Sequence, residues 1–175
     1  MPNPTFILIN SATVGSGGAS SVSFTNIPPT FKDLVVKASV RSTRSGAAED
    51  GMGVVINGNG ATSWTLNSAN GSSFLSGTSS SLGFGNAFTG RIPASTALAN
   101  SFGNWELLIA DYASANFKTY SLDAVTENNS SNAAFMSMQA SYLNITSQVN
   151  SVVLSASNAT LAQYSTFSLY GIRNY

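Results

Sequence analysis

The sequence predicts an all-β, antiparallel β-sandwich of the jelly-roll kind, with about 8–10 strands. Apolar and polar residues alternate with a period of two along most of the chain, and turn-forming residues interrupt these runs every ~8–12 residues. No long segment shows the period of a helix. Hydrophobic residues make up 43% of the 175 residues, which is enough for one core, so we predict a single domain over residues 1–175.

The alternating runs follow one another along the whole chain. The clearest one places Leu34, Val36, Ala38 and Val40 on one face of a strand. The residues between them point to the opposite face, which is expected to be exposed to solvent. The same pattern recurs around Trp105-Leu107-Ile109, Tyr120-Leu122-Ala124, Val152-Leu154 and Phe167-Leu169-Gly171. Further strands are predicted at residues 5–10, 20–26, 52–57, 63–67, 81–85 and 134–142. Residues 95–100 are long enough for one helical turn.

Glycine, proline and asparagine separate these runs. Residues 15–18 (Gly-Ser-Gly-Gly) predict a loop or hairpin turn, and the prolines in 27–29 end a strand because proline cannot donate to a sheet. Residues 57–60 (Asn-Gly-Asn-Gly) tolerate positive φ and predict another hairpin, as does the polar run 127–131.

The middle of the chain, residues 68–89, is rich in Ser, Gly and Asn and holds isolated aromatic residues. We interpret it as an insertion at one end of the sandwich, either a flexible loop or two short edge strands. Because loops at the ends of a scaffold often bind partners, we expect partner contacts in this region. The candidate contact residues are Phe74, Phe84, Phe88 and Trp64.

Charged side chains are scarce and balanced. They make up 8% of the chain, against about 25% in ordinary domains, and seven Lys and Arg offset seven Asp and Glu. Such a chain has no basic surface for nucleic acid or for an anionic membrane, so neither partner is expected. A net charge near zero favours association with other copies or with another protein. A soluble protein under relaxed selection for solubility remains the alternative.

The residue types needed for common catalytic sites are missing. The chain has no histidine and no cysteine, which excludes serine triads, cysteine dyads, disulfides and zinc–thiolate sites. A Ser–Lys dyad would need a lysine of lowered pKa, but Lys32, Lys37 and Lys118 are all expected among solvated polar residues. A glycosidase would need two carboxylates, which only a cross-strand pair such as Glu106 with Asp123 can supply. We therefore predict no catalytic residue and no enzyme.

Metal, phosphate and cofactor sites are also not expected. The acidic clusters at 49–51 and 127–129 have too few oxygen ligands for calcium, so we interpret both as solvated turns. The glycines at 15–18 are not followed by a Lys-Ser/Thr pair or a helix, as a phosphate loop requires. Four aromatic residues are candidates for stacking on sugar rings, although each is also an ordinary core or rim residue: Trp64, Tyr112, Tyr142 and Tyr175.

Four stretches carry a resemblance to a known family. They are residues 14–22 (VGSGGASSV) with their continuation to 42, residues 99–107 (ANSFGNWEL), residues 118–129 (which end in DAVTENN), and residues 163–172, which begin with QYST. Together they resemble small jelly-roll structural proteins encoded by phages of cyanobacteria and other aquatic bacteria.

The resemblance implies a protein of the virion. Members of this family look like capsid cement or decoration proteins, or parts of fibre-like appendages, and no catalytic motif accompanies them. It implies the major capsid protein as partner, a homotrimer at three-fold positions, and a place on the outer capsid surface. Residues 6–9 would add an edge strand or arm. The N-terminus has no basic region, so no signal peptide is expected and synthesis would occur in the host cytoplasm. The alternative is a tail-fibre, spike or head-fibre domain that binds a host glycan.

Overall fold

The computed structural model describes residues 5–58, 63–70, 73–80, 87–126 and 135–173, and only the backbone of 63–70, 73–80 and 87–89. Within these residues the secondary structure consists of twelve β-strands. They are β1 (Phe6–Thr13), β2 (Val22–Phe24), β3 (Asp33–Val40), β4 (Glu49–Ile56), β5 (Ser63–Asn70), β6 (Ser73–Ser80), β7 (Ala87–Pro93), β8 (Gly103–Ala110), β9 (Lys118–Thr126), β10 (Phe135–Leu143), β11 (Val152–Ala156) and β12 (Thr166–Ile172).

The strands form two sheets. The larger has the order β1-β12-β3-β8-β9-β10-β5-β6, and the smaller has the order β2-β11-β4-β7. All neighbouring strands are antiparallel. The predicted all-β sandwich is therefore confirmed.

The sheet order is that of a jelly roll with two added hairpins. Eight strands remain when β5, β6, β9 and β10 are left out. Among these eight, β1 pairs with β12, β2 with β11, β3 with β8, and β4 with β7. This is the pairing of one long antiparallel hairpin rolled into two facing sheets. The hairpins β9–β10 and β5–β6 extend the larger sheet beyond β8.

The core lies between the two sheets, where the predicted period-two faces meet. Trp105, Leu107 and Ile109 of β8 are fully buried, as are Leu34 and Val36 of β3. The smaller sheet contributes Met52, Val54, Ile56, Val152 and Leu154 to the same cluster. Because each large apolar side chain adds about 1.5–3 kcal/mol when fully buried, this cluster is the main stabilising feature of the fold.

A close backbone approach sets the position of β7 against β9. Gly90 has a φ of 78°, and a Cβ added there would lie 2.8 Å from the Cβ of Ala124 and 3.1 Å from Leu122 Cδ2. Only glycine combines that backbone conformation with so little space. Gly90 therefore allows β7 of the smaller sheet to lie directly on the inner side of β9.

Several local predictions can be compared with the structure. Asn57 and Gly58 have φ values of 49° and 77°, as their turn chemistry predicted. The hairpin predicted at residues 57–60 is wrong, because the flanking strands β4 and β5 lie in different sheets. Residues 95–100 form turns instead of a helical turn. The predicted strand at 81–85 lies outside the described residues. Of the two alternatives for residues 68–89, the structure agrees with edge strands, because β6 and the start of β7 lie there, and they are edge strands of the larger and the smaller sheet. Strand β1 forms one edge of the larger sheet, with an irregularity in register between Leu8 and Asn10.

Candidate interaction surface

Strands β8, β9 and β10 form a continuous part of the larger sheet whose outward face is open to solvent. Register is unbroken between β8 and β9 from Asn104 to Ala110, and between β9 and β10 over all nine residues of each strand. Strand β9 alternates strictly between buried and exposed residues from Lys118 to Thr126. The outward side chains are thus held in a fixed array by the backbone.

The outward face carries a group of exposed apolar side chains on β9 and β10, which we term the apolar patch: Val125, Met136, Met138 and Tyr142. Their exposed fractions are 48%, 44%, 52% and 43%. Val125 lies opposite Met136 in register, and Met138 and Tyr142 follow on the same side of β10. A contiguous apolar group on a regular sheet is typical of a surface that meets another protein.

A row of charged residues crosses the same face beside the patch. Lys37 of β3 lies opposite Glu106 of β8, and its Nζ donates a 2.6 Å hydrogen bond to Glu106 Oε2. Glu106 in turn lies opposite Asp123 of β9. The cross-strand carboxylate pair that a glycosidase would need is therefore present in register. It lies on an open sheet face, with the Glu106 side chain 40% exposed and paired with Lys37.

The three lysines differ in their surroundings, and the sequence prediction was wrong for Lys118. Lys32 forms an exposed ion pair with Asp111, whose hydrogen bond raises the pKa of Lys32. Lys118 is fully buried, and its Nζ donates hydrogen bonds of 2.6 Å to the carbonyl oxygens of Ser114 and Asn116. Burial lowers the pKa of Lys118 because the ammonium group loses water. A sequence signal existed, since Lys118 precedes Tyr120 by two residues and shares its buried face.

The interpretation of residues 49–51 as a solvated turn was also wrong. Glu49 and Asp50 begin β4, and Asp50 is fully buried. Glu49 forms a 3.0 Å ion pair with Arg91, while burial raises the pKa of the Glu49 carboxyl. The cluster at 127–129 lies outside the described residues. Within the part of the chain that the structure describes, no three acidic residues are grouped as a metal ion would require.

Of the four predicted contact residues, the three whose backbone the structure describes do not form one cluster. Trp64 lies in β5 opposite Ser141 of β10, and Phe74 lies in β6 opposite Ala69. Those positions are five residues apart along the hairpin, roughly 17 Å. Phe88 lies in β7 of the smaller sheet, and Phe84 is outside the described residues. Their role in partner contact stays a prediction.

The candidate sugar-stacking residues are distributed just as unevenly. Tyr112 is fully buried, and its hydroxyl donates a hydrogen bond to the Pro28 carbonyl and accepts one from the Phe31 amide. It therefore offers no ring to a ligand at the surface. Tyr142 belongs to the apolar patch, and Tyr175 lies outside the described residues.

Hydrogen bonds join the four connections at one end of the sandwich, which are β1–β2, β3–β4, β7–β8 and β11–β12. The guanidinium of Arg41 donates to the carbonyl oxygens of Leu98 (2.7 Å), Ser101 (2.9 Å) and Ala97 (3.2 Å). Burial lowers the pKa of Arg41. Backbone bonds join residue pairs from different connections: Ala19 with Leu161, Thr43 with Thr160, and Arg41 with Ala162. This end is thus fixed by polar contacts, whereas the sheet face described above is open.

Comparison of the chain with models of protein families, with curated proteins and with solved structures gives no match. In the described ranges, no helix has the length and apolar character needed to cross a bilayer. The fold and the surface together therefore define an all-β jelly roll with two added hairpins and an exposed apolar patch on its larger sheet.

Proposed function

We propose that this protein is a structural component of a phage virion: a cement or decoration protein that stabilises the head by bridging neighbouring capsid subunits. The observation that carries the proposal is the apolar patch on a rigid, open sheet face. A cement protein acts by burying surface between subunits, and it needs such a face but no reacting groups. The resemblance to phage jelly-roll proteins supports the same role.

Low charge suits a crowded protein shell. Seven positive and seven negative side chains give a formal net charge of zero, so many copies can lie side by side without long-range repulsion. Weak contacts repeated over a symmetric shell add up through multivalency. A homotrimer fits three-fold and quasi-three-fold positions, because its symmetry matches that of the lattice.

The proposal includes partners and location. The major capsid protein and further copies of this chain are the partners, and the outer capsid surface is the site, after synthesis in the host cytoplasm. The role requires no cofactor, no nucleic acid and no membrane. It is a binding role and not an enzymatic one.

Reconstruction of the purified virion tests this proposal directly. The expected result is density that fits this jelly roll at symmetry-related positions over the outside of the head. Heads stripped of the protein should release their contents at a lower temperature than intact heads. Adding back the folded protein should restore the original release temperature. Heat-unfolded protein serves as the control. Density confined to the tail, or stripped heads of unchanged stability, would contradict a cement role.

A glycan-binding fibre or spike domain is the second candidate, and exposed tyrosines favour it. The side chains of Tyr142 and Tyr164 are 43% and 68% exposed, and a ring at the surface can stack on a sugar. A glycan array with the wild-type chain is the test. Binding that Tyr142→Ala abolishes and Tyr164→Ala retains would assign the sugar to the sheet face. Failure to bind any host glycan would remove this candidate.

A further inference from the structure

Tyr164 occupies a backbone position that disfavours its residue type. The amide of Ser165 donates a 3.2 Å hydrogen bond to the Ala162 carbonyl, so residues 162–165 form a four-residue turn with Tyr164 in the third place. The φ of Tyr164 is 70°, and turns with a positive φ in that place favour glycine or asparagine, because a bulky side chain makes the left-handed conformation costly. In the described residues, every other non-glycine residue with a positive φ is an asparagine or an aspartate: Asn26, Asn57, Asn100 and Asp111.

The Tyr164 side chain contributes little to the fold in return. It is 68% exposed, the largest fraction among the exposed large apolar side chains of the described residues. The turn itself is held by backbone hydrogen bonds, from the Tyr164 amide to the Val14 carbonyl and from the Ala162 amide to the Arg41 carbonyl. Glycine would form the same bonds without the strain. A residue that breaks a local rule without a gain in packing indicates a functional position.

Beside this turn, the outward face of the larger sheet carries a row of uncharged polar residues, which we term the polar row: Thr13, Thr166, Ser39 and Asn104. They lie directly opposite one another on β1, β12, β3 and β8, and all four are exposed. Neighbouring strands are about 4.8 Å apart, so the row is about 14 Å long. Thr166 follows Tyr164 by two residues, which places the ring and the row at the same end of β12.

The side chains of the polar row are available to a ligand. Their hydroxyl and amide groups form no hydrogen bonds within the described residues. The cations next to the row on the same chain segment are already paired: Lys37 donates to Glu106, and Arg41 directs its guanidinium at carbonyl oxygens of the connection between β7 and β8. The row therefore presents neutral hydrogen-bonding groups.

This chemistry favours one class of ligand. A specific protein contact has an apolar centre, and nucleic acid requires clustered cations, but the polar row has neither. Hydroxyl and amide side chains both donate and accept hydrogen bonds, as the hydroxyls of a sugar do, and the sheet holds them in a straight line. An exposed aromatic ring can stack on the apolar face of a sugar ring.

We propose that Tyr164 and the polar row form a binding site for a neutral oligosaccharide. The Tyr164 ring is the stacking platform, and the side chains of the row bind the sugar hydroxyls. The cement role does not require this site, so the inference goes beyond that role. The site is also separate from the apolar patch, because β3 and β8 lie between β12 and β9.

A glycan array that carries neutral, sialylated and sulfated oligosaccharides tests the class of ligand. We expect the wild-type chain to bind neutral oligosaccharides. Binding to none of the neutral ones, or binding confined to the sialylated and sulfated ones, would overturn the inference.

Two substitutions at Tyr164 separate binding from folding. Tyr164→Phe keeps the ring and should bind the strongest neutral ligand of the array as wild type does. Tyr164→Gly removes the ring but suits the positive φ, so we expect affinity to fall at least about tenfold with a melting temperature no lower than that of wild type. Titration calorimetry and thermal unfolding measure the two effects. Wild-type affinity in Tyr164→Gly, or binding that only Tyr142→Ala abolishes, would overturn the inference.

The polar row is tested one hydroxyl at a time. Thr166→Val and Ser39→Ala should each weaken binding about two- to tenfold, as the loss of one neutral hydrogen bond does. Ser121→Ala, at an exposed position of β9 on the same face of the sheet, is the matched control and should bind like wild type. Equal affinity of all three variants would overturn the assignment of the row.

Nuclear magnetic resonance gives a readout that needs no variant. On titration with the same neutral oligosaccharide, the amide signals of Tyr164, Thr166, Ser39 and Asn104 should shift more than that of Met138. Shifts confined to the apolar patch would overturn the inference. Restoration of stripped heads is measured separately, with wild type and Tyr164→Gly. If both restore the heads but wild type binds no neutral sugar, the inference fails while the cement role stands.

Discussion

Asn158 holds the buried carboxylate of Asp50 from a distant part of the chain: its Nδ2 donates a 2.7 Å hydrogen bond to Asp50 Oδ1. Ser42 Oγ donates a 2.7 Å bond to the other oxygen, and the Gly51 amide donates a 2.8 Å bond to Oδ1. The start of β4, the connection before it and the connection between β11 and β12 therefore share one carboxylate. This contact joins the start of β4 and the connection before it to a residue that is 108 positions away in sequence.

Replacing Asp50 with alanine should destabilise the protein substantially. The Ser42 hydroxyl and the Asn158 amide would lose their partner in a buried site, which costs about 2–3 kcal/mol, or about 5–10 °C in melting temperature. Thermal unfolding measures the effect. Ser45→Ala, an exposed change in the same connection, should shift stability by less than about 0.5 kcal/mol. Equal effects of the two changes would show that the Asp50 network contributes little.

Gly90→Ala should destabilise more than Gly46→Ala. Both glycines have positive φ, 78° and 65°, so both variants incur a backbone cost of about 1–2 kcal/mol. A Cβ at Gly46 meets open space, whereas one at Gly90 meets Ala124, which adds about 1–3 kcal/mol of overpacking. Denaturant unfolding of the two variants isolates the steric part. Equal losses would mean that β7 moves away from β9 without cost.

Tyr120→Phe should stabilise the protein slightly at neutral pH and change its response to alkali. The buried hydroxyl lies opposite Ser141 but forms no hydrogen bond of good geometry, and the Ser141 contact offsets only part of the effect of burial, so its removal should add up to about 1 kcal/mol. Burial raises the pKa of Tyr120 from 10.0 to about 12. Since the unfolded chain loses this proton first, the stability of the wild type falls as pH rises through that interval.

Urea unfolding at neutral pH and near pH 11 would measure both effects of Tyr120→Phe. The variant should lose less stability than wild type at the higher pH. Tyr164→Phe, at a residue that is 68% exposed, should match wild type at both pH values. A destabilised Tyr120→Phe at neutral pH would mean that the hydroxyl is satisfied in solution, for instance by internal water.

Lys118→Met should loosen the connection between β8 and β9. The two carbonyl oxygens of Ser114 and Asn116 lose their shared donor, so the amide of Ser114, which bonds to the Asp111 carbonyl, should exchange its hydrogen faster. Hydrogen exchange followed by mass spectrometry would measure this. Lys37→Met, at an exposed ion pair, should leave that segment unchanged.

The same lysine also predicts a pH dependence. Because burial lowers the pKa of Lys118 below its ordinary value of 10.5, the unfolded chain binds this proton more tightly than the folded one. The contribution of Lys118 to the stability of the wild type therefore increases as pH rises towards 10.5. Lys118→Met should lack this increase, and an unchanged pH profile would contradict the assignment.

The fold class followed from patterns that are local in sequence. A period of two requires only neighbouring residues, so β3, β8, β9 and β12 could be predicted without knowing how they pair. The jelly-roll pairing depends on contacts between distant segments, such as β1 with β12. The opposed carboxylates of Glu106 and Asp123 depend on it too, and only the sheet order places them in register.

The sequence was ambiguous or misleading where it carried two patterns at once. In β10 apolar residues occupy both phases, with Phe135 and Leu143 in one and Met138 and Tyr142 in the other, so periodicity did not identify the buried face. Lys118 shared a phase with the core residues of β9, but its charge suggested exposure. Two backbone carbonyls provided the partners that allow its burial, and nothing in the sequence marks them.

The pairing of β1 with β12 also determines how the molecule would respond to force. Phe6 lies opposite Ile172, and the Arg173 amide bonds to the Thr5 carbonyl at 3.0 Å, so residues 5 and 173 lie at the same end of that strand pair. Tension applied between residues 5 and 173 loads one hydrogen-bonded pair at a time, so β1 separates from β12 by sequential unzipping. Tension between residue 5 and the far end of β12 would load the whole ladder in shear. The same fold is therefore mechanically weak along one pulling direction and strong along another.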